Sequence, residues 1–282
     1  MEAYELVRVF VNKTVVSKKS KRRGNPGYPR LQAVRLLVYA RLKRIGTDKG
    51  LIRHLKRNRR AVRALGFKRV PHRTTVGRWW RRCADLLKEV FELLAELLQH
   101  PLPCRLLVVD STPLEDKRDP EGRWGYNSRG PFKGFKLHVA VNQEGLPLKA
   151  LVTPGNRYDS PSLPKLIQGL TPERVVADAG YDSKENREAV KKAGATAFIP
   201  NNPRRKGRQG LRSRLKMGGQ YLVEQFNSLI KDQILRGCWK RVKGLAKKAG
   251  QVYAGLIGLL AISLKAVIND EPRFRKVSQY WN

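Results

Sequence analysis

The chain has 282 residues, enough for one large domain or two ordinary ones, and 41% of them are apolar, which excludes a disordered chain by composition. Its 59 lysines and arginines against 23 acidic residues give a net charge of +36, which favours an anionic partner such as nucleic acid, although ribosomal and membrane-surface proteins can be equally basic. The three scattered cysteines and four dispersed histidines argue against a disulfide framework or a zinc site.

The longest apolar run covers residues 252–264. It is shorter than the roughly 20 residues that cross a bilayer. We therefore expect a buried helix there and no membrane association, and the free cysteines suit the reducing cytoplasm.

Residues 1–29 are interpreted as an N-terminal arm. Apolar residues between Leu6 and Val11 are typical of a strand or an arm, and a glycine- and proline-rich cluster at 24–29 ends the segment.

Residues 30–100 show apolar residues at helical spacing. Gly46 is expected to stop one helix, Thr47 to cap the next, and Thr74 to open a longer helix that runs through Glu96. Several short basic helices in a row predict a small helical, helix-turn-helix-like DNA-binding domain. A plain helical bundle with solvated charges fits the same pattern.

Beyond Pro101 short β-branched runs replace the helical pattern. We expect strands at 105–110, 135–142, 146–153, 174–178 and 196–200, and helices at 161–169, 183–193 and 221–235. Three antiparallel strands followed by β/α units form a mixed sheet, which is the layout of the ribonuclease H-like fold. The predicted fold class is α/β with a mixed sheet, in a domain at 101–270 that precedes a C-terminal tail at 271–282.

Three acidic residues stand where this fold would gather them. Asp110 is expected to end the first strand and Asp178 the fourth, and Glu224 lies in the helix that follows the last strand. Side chains beyond strand carboxyl ends line the crevice of an α/β sheet. Carboxylates crowded together need a cation between them, and Mg²⁺ takes such oxygen ligands. Alternatively, each Asp is a loop or helix-cap residue, and Glu224 lies on a solvated helix face.

Four segments resemble the DDE transposases of bacterial and archaeal insertion sequences. They are LVVDST at 107–112, KGFKLH at 133–138, VADAGYD at 176–182, and YLVEQFN at 221–227 followed by Lys231. The resemblance implies a ribonuclease H-like catalytic domain whose metal ligands are Asp110, Asp178 and Glu224, with two Mg²⁺ or Mn²⁺ ions. It implies a homodimer acting on double-stranded DNA at terminal inverted repeats and target sites, and a DNA phosphate bound by Lys231.

Basic residues around the expected site predict further DNA contacts. The segment 201–219 contains seven basic residues and no acid. A second basic cluster follows the helix of Glu224 and comprises Arg236, Lys240, Arg241, Lys243, Lys247 and Lys248. The candidate DNA-binding residues are Arg204, Arg205, Lys206, Arg208, Arg212, Arg214, Lys240, Arg241, Trp124 and Arg129, with Trp124 as a candidate for stacking on an unpaired base.

The sequence therefore predicts a transposase, acting at the nucleoid of a prokaryotic cytoplasm, that cleaves phosphodiester bonds at element ends and joins the 3′-hydroxyl to target DNA by a two-metal mechanism. Two alternatives stay open: a nuclease of the same fold that does not join strands, and a DNA-binding protein whose acids are idle. The second is kept open by a departure from the family pattern, since many relatives carry Tyr and Arg where this chain has Met217 and Gln220.

Overall fold

The chain forms two compact units, Met1–Leu97 together with Ile230–Asn282, and Leu98–Leu229. The structure is a computed structural model that describes residues 2–14, 27–127, 130–202, 219–271 and 274–280, with the backbone alone for 12–14.

The helices and strands of both units are numbered in chain order. The helices are α1 (Ala3–Thr14), α2 (Arg30–Leu42), α3 (Asp48–Arg57), α4 (Arg59–Ala64), α5 (Arg73–Arg82), α6 (Ala84–Gln99), α7 (Leu163–Ile167), α8 (Lys184–Lys192), α9 (Gln220–Ser228) and α10 (Leu245–Ile268). The strands are β1 (Leu106–Glu115), β2 (Arg123–Asn127), β3 (Gly130–Asn142), β4 (Pro147–Pro154), β5 (Arg174–Ala177) and β6 (Thr196–Phe198).

The helical unit is organised around α10, which is buried on nearly all sides and packs against α1, α2 and α5. Gly250 allows the closest approach, because a Cβ atom there would overlap the carbonyl oxygen of Trp80 in α5. By length and composition alone α10 could cross a membrane, but 83% of its most apolar window is buried within the protein. The core helix of a globular protein has these same properties, so the predicted buried helix near the C-terminus is confirmed, and it is longer than the apolar run suggested.

Two local predictions in this unit are wrong. Residues 3–14 form helix α1, not a strand or an extended arm, because Leu6, Val7 and Phe10 recur at helical spacing and pack on α2. The helix expected from Thr74 through Glu96 is two helices, interrupted at Cys83, where ψ is 6°. The predicted cap at Thr47 is confirmed, since its side chain accepts a hydrogen bond from the N–H of Gly50.

The other unit is a mixed six-stranded sheet with the order β2-β3-β1-β5-β6, and β4 pairs with β3 beyond the end of β2. Strands β3 and β4 run antiparallel as a hairpin next to β1, whereas β5 and β6 lie parallel to β1 on its other side. Without the short β2, the order β4-β3-β1-β5-β6 is that of the ribonuclease H-like fold. The predicted fold class is confirmed.

Two strands differ from the expectation. Strand β1 does not end at Asp110 but continues to Glu115, because β3 pairs with it from Leu107 to Glu115. The segment around Trp124, expected to be a loop, is strand β2, which pairs with the start of β3. Gly125 of β2 lies directly against the backbone of Gly155, where an added Cβ atom would overlap the carbonyl oxygen.

Helix α9 contacts β1 and β3, and its buried apolar residues are Leu222, Val223 and Phe226. The helix expected to run unbroken to residue 235 changes at Leu229 into a π-helical segment, Leu229–Leu235.

The contact units divide the chain differently from the predicted domains. The first division, after Leu97, lies beside the expected one at residue 100, but residues 230–270 group with the N-terminal helices. The physical reason is that α10 buries its surface against α1, α2 and α5.

Candidate active site

The parallel pairing of β1 with β5 brings two aspartates side by side. The last paired residues are Val109 and Ala177, and Asp110 and Asp178 are the next residues on the two strands. Both line the same open crevice. The other residues around this crevice are Val108, Val109, Val176, Ala177, Phe198, Pro200, Gln220 and Val223. The predicted adjacency of these two strands is thus confirmed.

Asp110 is half-buried, and its environment disfavours the charged carboxylate. Burial raises the pKa of Asp110 to about 6. The negative charges of Asp178 and Asp159 add to this rise in pKa, while hydrogen bonds from the Ser111 backbone N–H and the Asn227 side chain oppose it. A carboxylate in such a position is stabilised by any cation that enters the crevice.

Asp178, unlike Asp110, is exposed to solvent, and it accepts a different hydrogen bond. Its Oδ1 accepts a hydrogen bond of 2.7 Å from the N–H of Ala179, which caps the short 3₁₀ helix Ala179–Tyr181. Asp178 lines the same crevice as Asp110.

Glu224 is exposed on α9 and does not line the crevice. Within the described part of the chain, no three His, Cys, Asp or Glu side chains stand close enough together to hold a metal ion. The structure therefore gathers Asp110 and Asp178 but not Glu224. The helix nevertheless presents the relevant face, since Gln220 and Val223 line the crevice and Asn227 contacts Asp110. At 3.6 residues per turn, Glu224 falls on that same face.

Asn227 is the site residue that the sequence analysis missed. Its Nδ2 donates a hydrogen bond of 3.2 Å to Oδ2 of Asp110. A signal was present, because Asn227 follows Glu224 by three residues and positions three apart share a helix face.

A buried polar cluster lies on the strands beside Asp110. Lys136 of β3 donates hydrogen bonds to Oδ1 of Asp159 at 2.9 Å and to the carbonyl of Arg157 at 3.1 Å. His138, fully buried, has its Nε2 2.8 Å from Oγ1 of Thr153, and its Nδ1 3.7 Å from Asp159. Burial lowers the pKa of His138 to about 4, a shift that Asp159 opposes and Lys136 reinforces. The cluster thus holds a neutral imidazole next to an ion pair.

The predicted DNA-binding residues that the structure describes lie on different elements of the chain. Lys240 and Arg241 are exposed on a 3₁₀ helix, Cys238–Arg241, and Lys231 is half-buried in the π-helical segment. Lys248, interpreted as part of the same basic cluster, is instead fully buried, and its Nζ donates to the carbonyls of Trp239 and Val242. Of the residues singled out in the sequence, those that lie outside the described part of the chain are Arg204, Arg205, Lys206, Arg208, Arg212, Arg214, Met217 and Arg129.

Two aromatic side chains project from β2 into solvent. Trp124 is 62% exposed and Tyr126 is 71% exposed, and the side chain of Arg123 is also exposed. Residues two apart on a strand point to the same face. This edge of the sheet therefore presents aromatic rings and positive charge together.

Comparison with known proteins gives the family. A model of the Transposase DDE domain matches residues 103–261, more than half of the chain. The chain belongs to the family of DDE-domain transposases. A second model, Transposase domain (DUF772), matches residues 3–82, so the helical part of the transposase is also a recognised transposase segment. The family resemblance predicted from the sequence is confirmed.

Individual relatives match over parts of the transposase. It is 40% identical over 83 residues to the transposase for insertion sequence element IS1106 of Neisseria meningitidis, matching 29% of this chain and 27% of that one. It is 32% identical over 115 residues to a putative transposase for IS402 of Burkholderia cepacia (34% and 53%), and 42% identical over 72 residues to one for IS6501 of Brucella ovis (25% and 55%). The chain thus spans between about a quarter and about half the length of these relatives.

Among solved structures, the piggyBac transposase synaptic complex with hairpin DNA is similar over 99% of this chain and 75% of that one. The TM-score is 0.42 and the identity is 11%.

Proposed function

We propose that this chain is an insertion-sequence transposase that cleaves phosphodiester bonds at the ends of its element and joins the released 3′-hydroxyl to target DNA. The observation that carries the proposal is the register of β1 and β5, which makes Asp110 and Asp178 neighbours in one crevice of a DDE-domain fold. Family membership and the net charge of +36 support DNA as the substrate.

The donor set of the crevice fits a hard divalent cation. Two carboxylates line it, burial raises the pKa of Asp110, and the buried Oδ1 of Asn227 has no hydrogen-bond partner among the described residues. Mg²⁺ and Mn²⁺ favour oxygen donors of this kind, and Mg²⁺ often uses one or two carboxylates plus substrate phosphate. Asp110 and Asp178 are therefore the proposed ligands.

Glu224 is the proposed third ligand. It lies on the helix face that borders the crevice, and a turn of its exposed side chain is the movement that the proposal requires. Catalytic contacts that are loose in an unliganded site commonly tighten with substrate. Two bound divalent ions would supply activation of the attacking oxygen and stabilisation of the leaving oxygen. The protein's part is to hold the carboxylates and to position the DNA backbone.

The DNA contacts proposed for the rest of the chain follow from charge. Lys240 and Arg241 offer exposed cations, Lys231 is the candidate for a phosphate of the element end, and the basic segment 203–218 is proposed to follow the DNA backbone. The helices at 30–100 are proposed to bind the terminal repeat. By family resemblance we also propose a homodimer that acts at the prokaryotic nucleoid.

The decisive test is cleavage of a labelled duplex carrying the element's own terminal repeat, with Mg²⁺ or with EDTA. We expect cutting at the repeat end that requires the metal, and loss of cutting with retained DNA binding in Asp110→Asn, Asp178→Asn and Glu224→Gln. Glu188→Gln is the matched control, because Glu188 is an exposed acid on α8 whose carboxylate lies 3.9 Å from the ammonium group of Lys184.

Adding an unlabelled target duplex to the same reaction distinguishes the alternatives. Joined products identify a transposase, and cutting without joining identifies a nuclease of the same fold. DNA binding with no cutting under any condition identifies a binding protein with idle acids and contradicts the proposal. Retained cutting in any one acid variant removes that residue from the site.

A further inference from the structure

Asn227 joins α9 to β1 through a side-chain hydrogen bond. Its Nδ2 lies 3.2 Å from Oδ2 of Asp110, so the donor half of the amide is used by the carboxylate. The acceptor half, Oδ1, is buried and has no hydrogen-bond partner within the described residues.

This arrangement is costly unless something completes it. A buried acceptor without a partner costs about 1–3 kcal/mol relative to a satisfied one. Helix α9 does not need the amide in order to pack, because Leu222, Val223 and Phe226 already bury its apolar face. An apolar side chain at position 227 would satisfy the packing without the cost. The amide is therefore explained by a partner that arrives with the ligands of the site.

The missing partner must be a hydrogen-bond donor that reaches the vicinity of Asp110. Protein groups in the described chain do not supply it. Mg²⁺ and Mn²⁺ sites with few protein ligands retain several waters, and a cation-bound water is a strong donor. Residues that bond a ligand and its waters in this way orient the ligand and sustain metal affinity.

We infer that Asn227 is the positioning residue of the metal site: its Nδ2 orients Asp110 and its Oδ1 accepts a hydrogen bond from a water bound to the cation. The inference rests on the proposed function, since it requires a cation at Asp110. It assigns to Asn227 no contact with the metal and no part in proton transfer. It predicts that affinity for the cation, and not folding, depends on this amide.

The test is Mn²⁺ binding to the full-length protein without DNA, followed by electron paramagnetic resonance, together with the melting temperature in EDTA. Asn227→Leu keeps the number and branching of the side-chain heavy atoms and removes both polar atoms. We expect Mn²⁺ to bind about tenfold more weakly, the lower end for residues that support metal ligands, while the melting temperature in EDTA is unchanged or raised. Asn227→Ser, which retains a smaller donor and acceptor, is expected to lie between the two and serves if the leucine variant does not fold.

Gln225→Leu is the matched control, because Gln225 is an exposed amide on α9 that lies off the crevice. Its Mn²⁺ affinity should equal that of the unaltered protein. Unchanged Mn²⁺ affinity in Asn227→Leu, with binding lost in Asp110→Asn, overturns this inference and leaves the proposed function intact. A melting temperature in EDTA that falls along with the affinity also overturns it, since the role would then be structural. Mn²⁺ binding that survives in Asp110→Asn instead overturns the metal site of the proposed function, and this inference with it.

Discussion

Asp110 and Asp178 are neighbours on two parallel strands, yet Asp110 is half-buried against Asn227 while Asp178 is exposed and caps a 3₁₀ helix. In the same crevice, therefore, burial disfavours the charged form of Asp110, whereas Asp178 remains in contact with solvent. A site that concentrates negative charge destabilises the folded protein until a cation binds to it. The carboxylate of Asp110 should therefore lower the stability of the metal-free protein although it is required for activity.

Replacing Asp110 by Asn should stabilise the metal-free protein at pH 7 while abolishing cleavage. Since the folded-state pKa of about 6 exceeds the usual 3.8, the contribution of Asp110 is fully present below pH 3.8 and is lost as the pH rises through 6. At about 1.4 kcal/mol per pKa unit, Asp110→Asn should gain about 1–3 kcal/mol. Urea unfolding in EDTA measures it. Asp178→Asn is the control, and an equal or greater gain there would contradict the explanation.

His138 should make the protein less stable in mild acid. Its pKa is lowered to about 4 in the folded state, so its contribution is complete above the unfolded value near 6.5 and is lost as the pH falls from 6.5 towards 4. Lys136, Asp159 and Thr153 are the polar groups that face the ring.

Comparison of His138→Gln with the unaltered protein at pH 7 and pH 5 isolates this effect. Asp110 titrates in both proteins, so its contribution cancels in the difference between them. We expect the free energy of unfolding of the variant, relative to that of the unaltered protein, to be about 1–2 kcal/mol higher at pH 5 than at pH 7. A difference that does not depend on pH would mean that the imidazole is protonated without cost.

The Lys136–Asp159 ion pair should be required for folding more than for chemistry. The Lys136 side chain is 10% exposed and that of Asp159 is 27% exposed, and they are 2.9 Å apart. Lys136→Met leaves Asp159 uncompensated and should cost about 2–4 kcal/mol, whereas Lys136→Met combined with Asp159→Leu should recover part of that loss. Urea unfolding of the two single variants and the double variant gives the coupling energy. Additive losses would show that the pair contributes no interaction.

Trp124 should contribute to binding of unpaired DNA and little to stability. Because its ring is 62% exposed on β2, Trp124→Ala should unfold at nearly the same urea concentration as the unaltered protein. Stacking on a base is worth about 1–3 kcal/mol, so affinity for a duplex with an unpaired end should fall about tenfold. Fluorescence anisotropy measures the affinity for this duplex and for a fully paired duplex of the same sequence. Trp124→Phe should retain most of the affinity, and an equal loss on fully paired DNA would argue against stacking.

Much of the sheet unit was predictable because its strands are locally encoded. Runs such as 105–110 and 174–178 are β-branched, short and bounded by turn residues, so their positions and their mixed pairing followed from pattern. The candidate acids followed from the same pattern, since a residue beyond the buried part of a parallel strand lies at the sheet's crevice. The caps at Thr47 and Ser183 are equally local, because each accepts from an N–H three residues ahead.

The sequence by itself determined the family, the mixed character of the sheet and the choice of Asp110 and Asp178 as neighbouring residues, because each depends on contiguous patterns of hydrophobicity and on short motifs. Only the tertiary structure decided which polar residues are buried and by what. In the sequence Lys248 is one of several cations in a basic cluster, but in the structure its Nζ is buried in the helical unit. Asn227 has no distinguishing feature in the sequence, but in the structure its amide donates a hydrogen bond to Asp110. Solvation depends on neighbours that are distant in sequence, Asn227 and Asp110 being 117 residues apart, and no local pattern records such contacts.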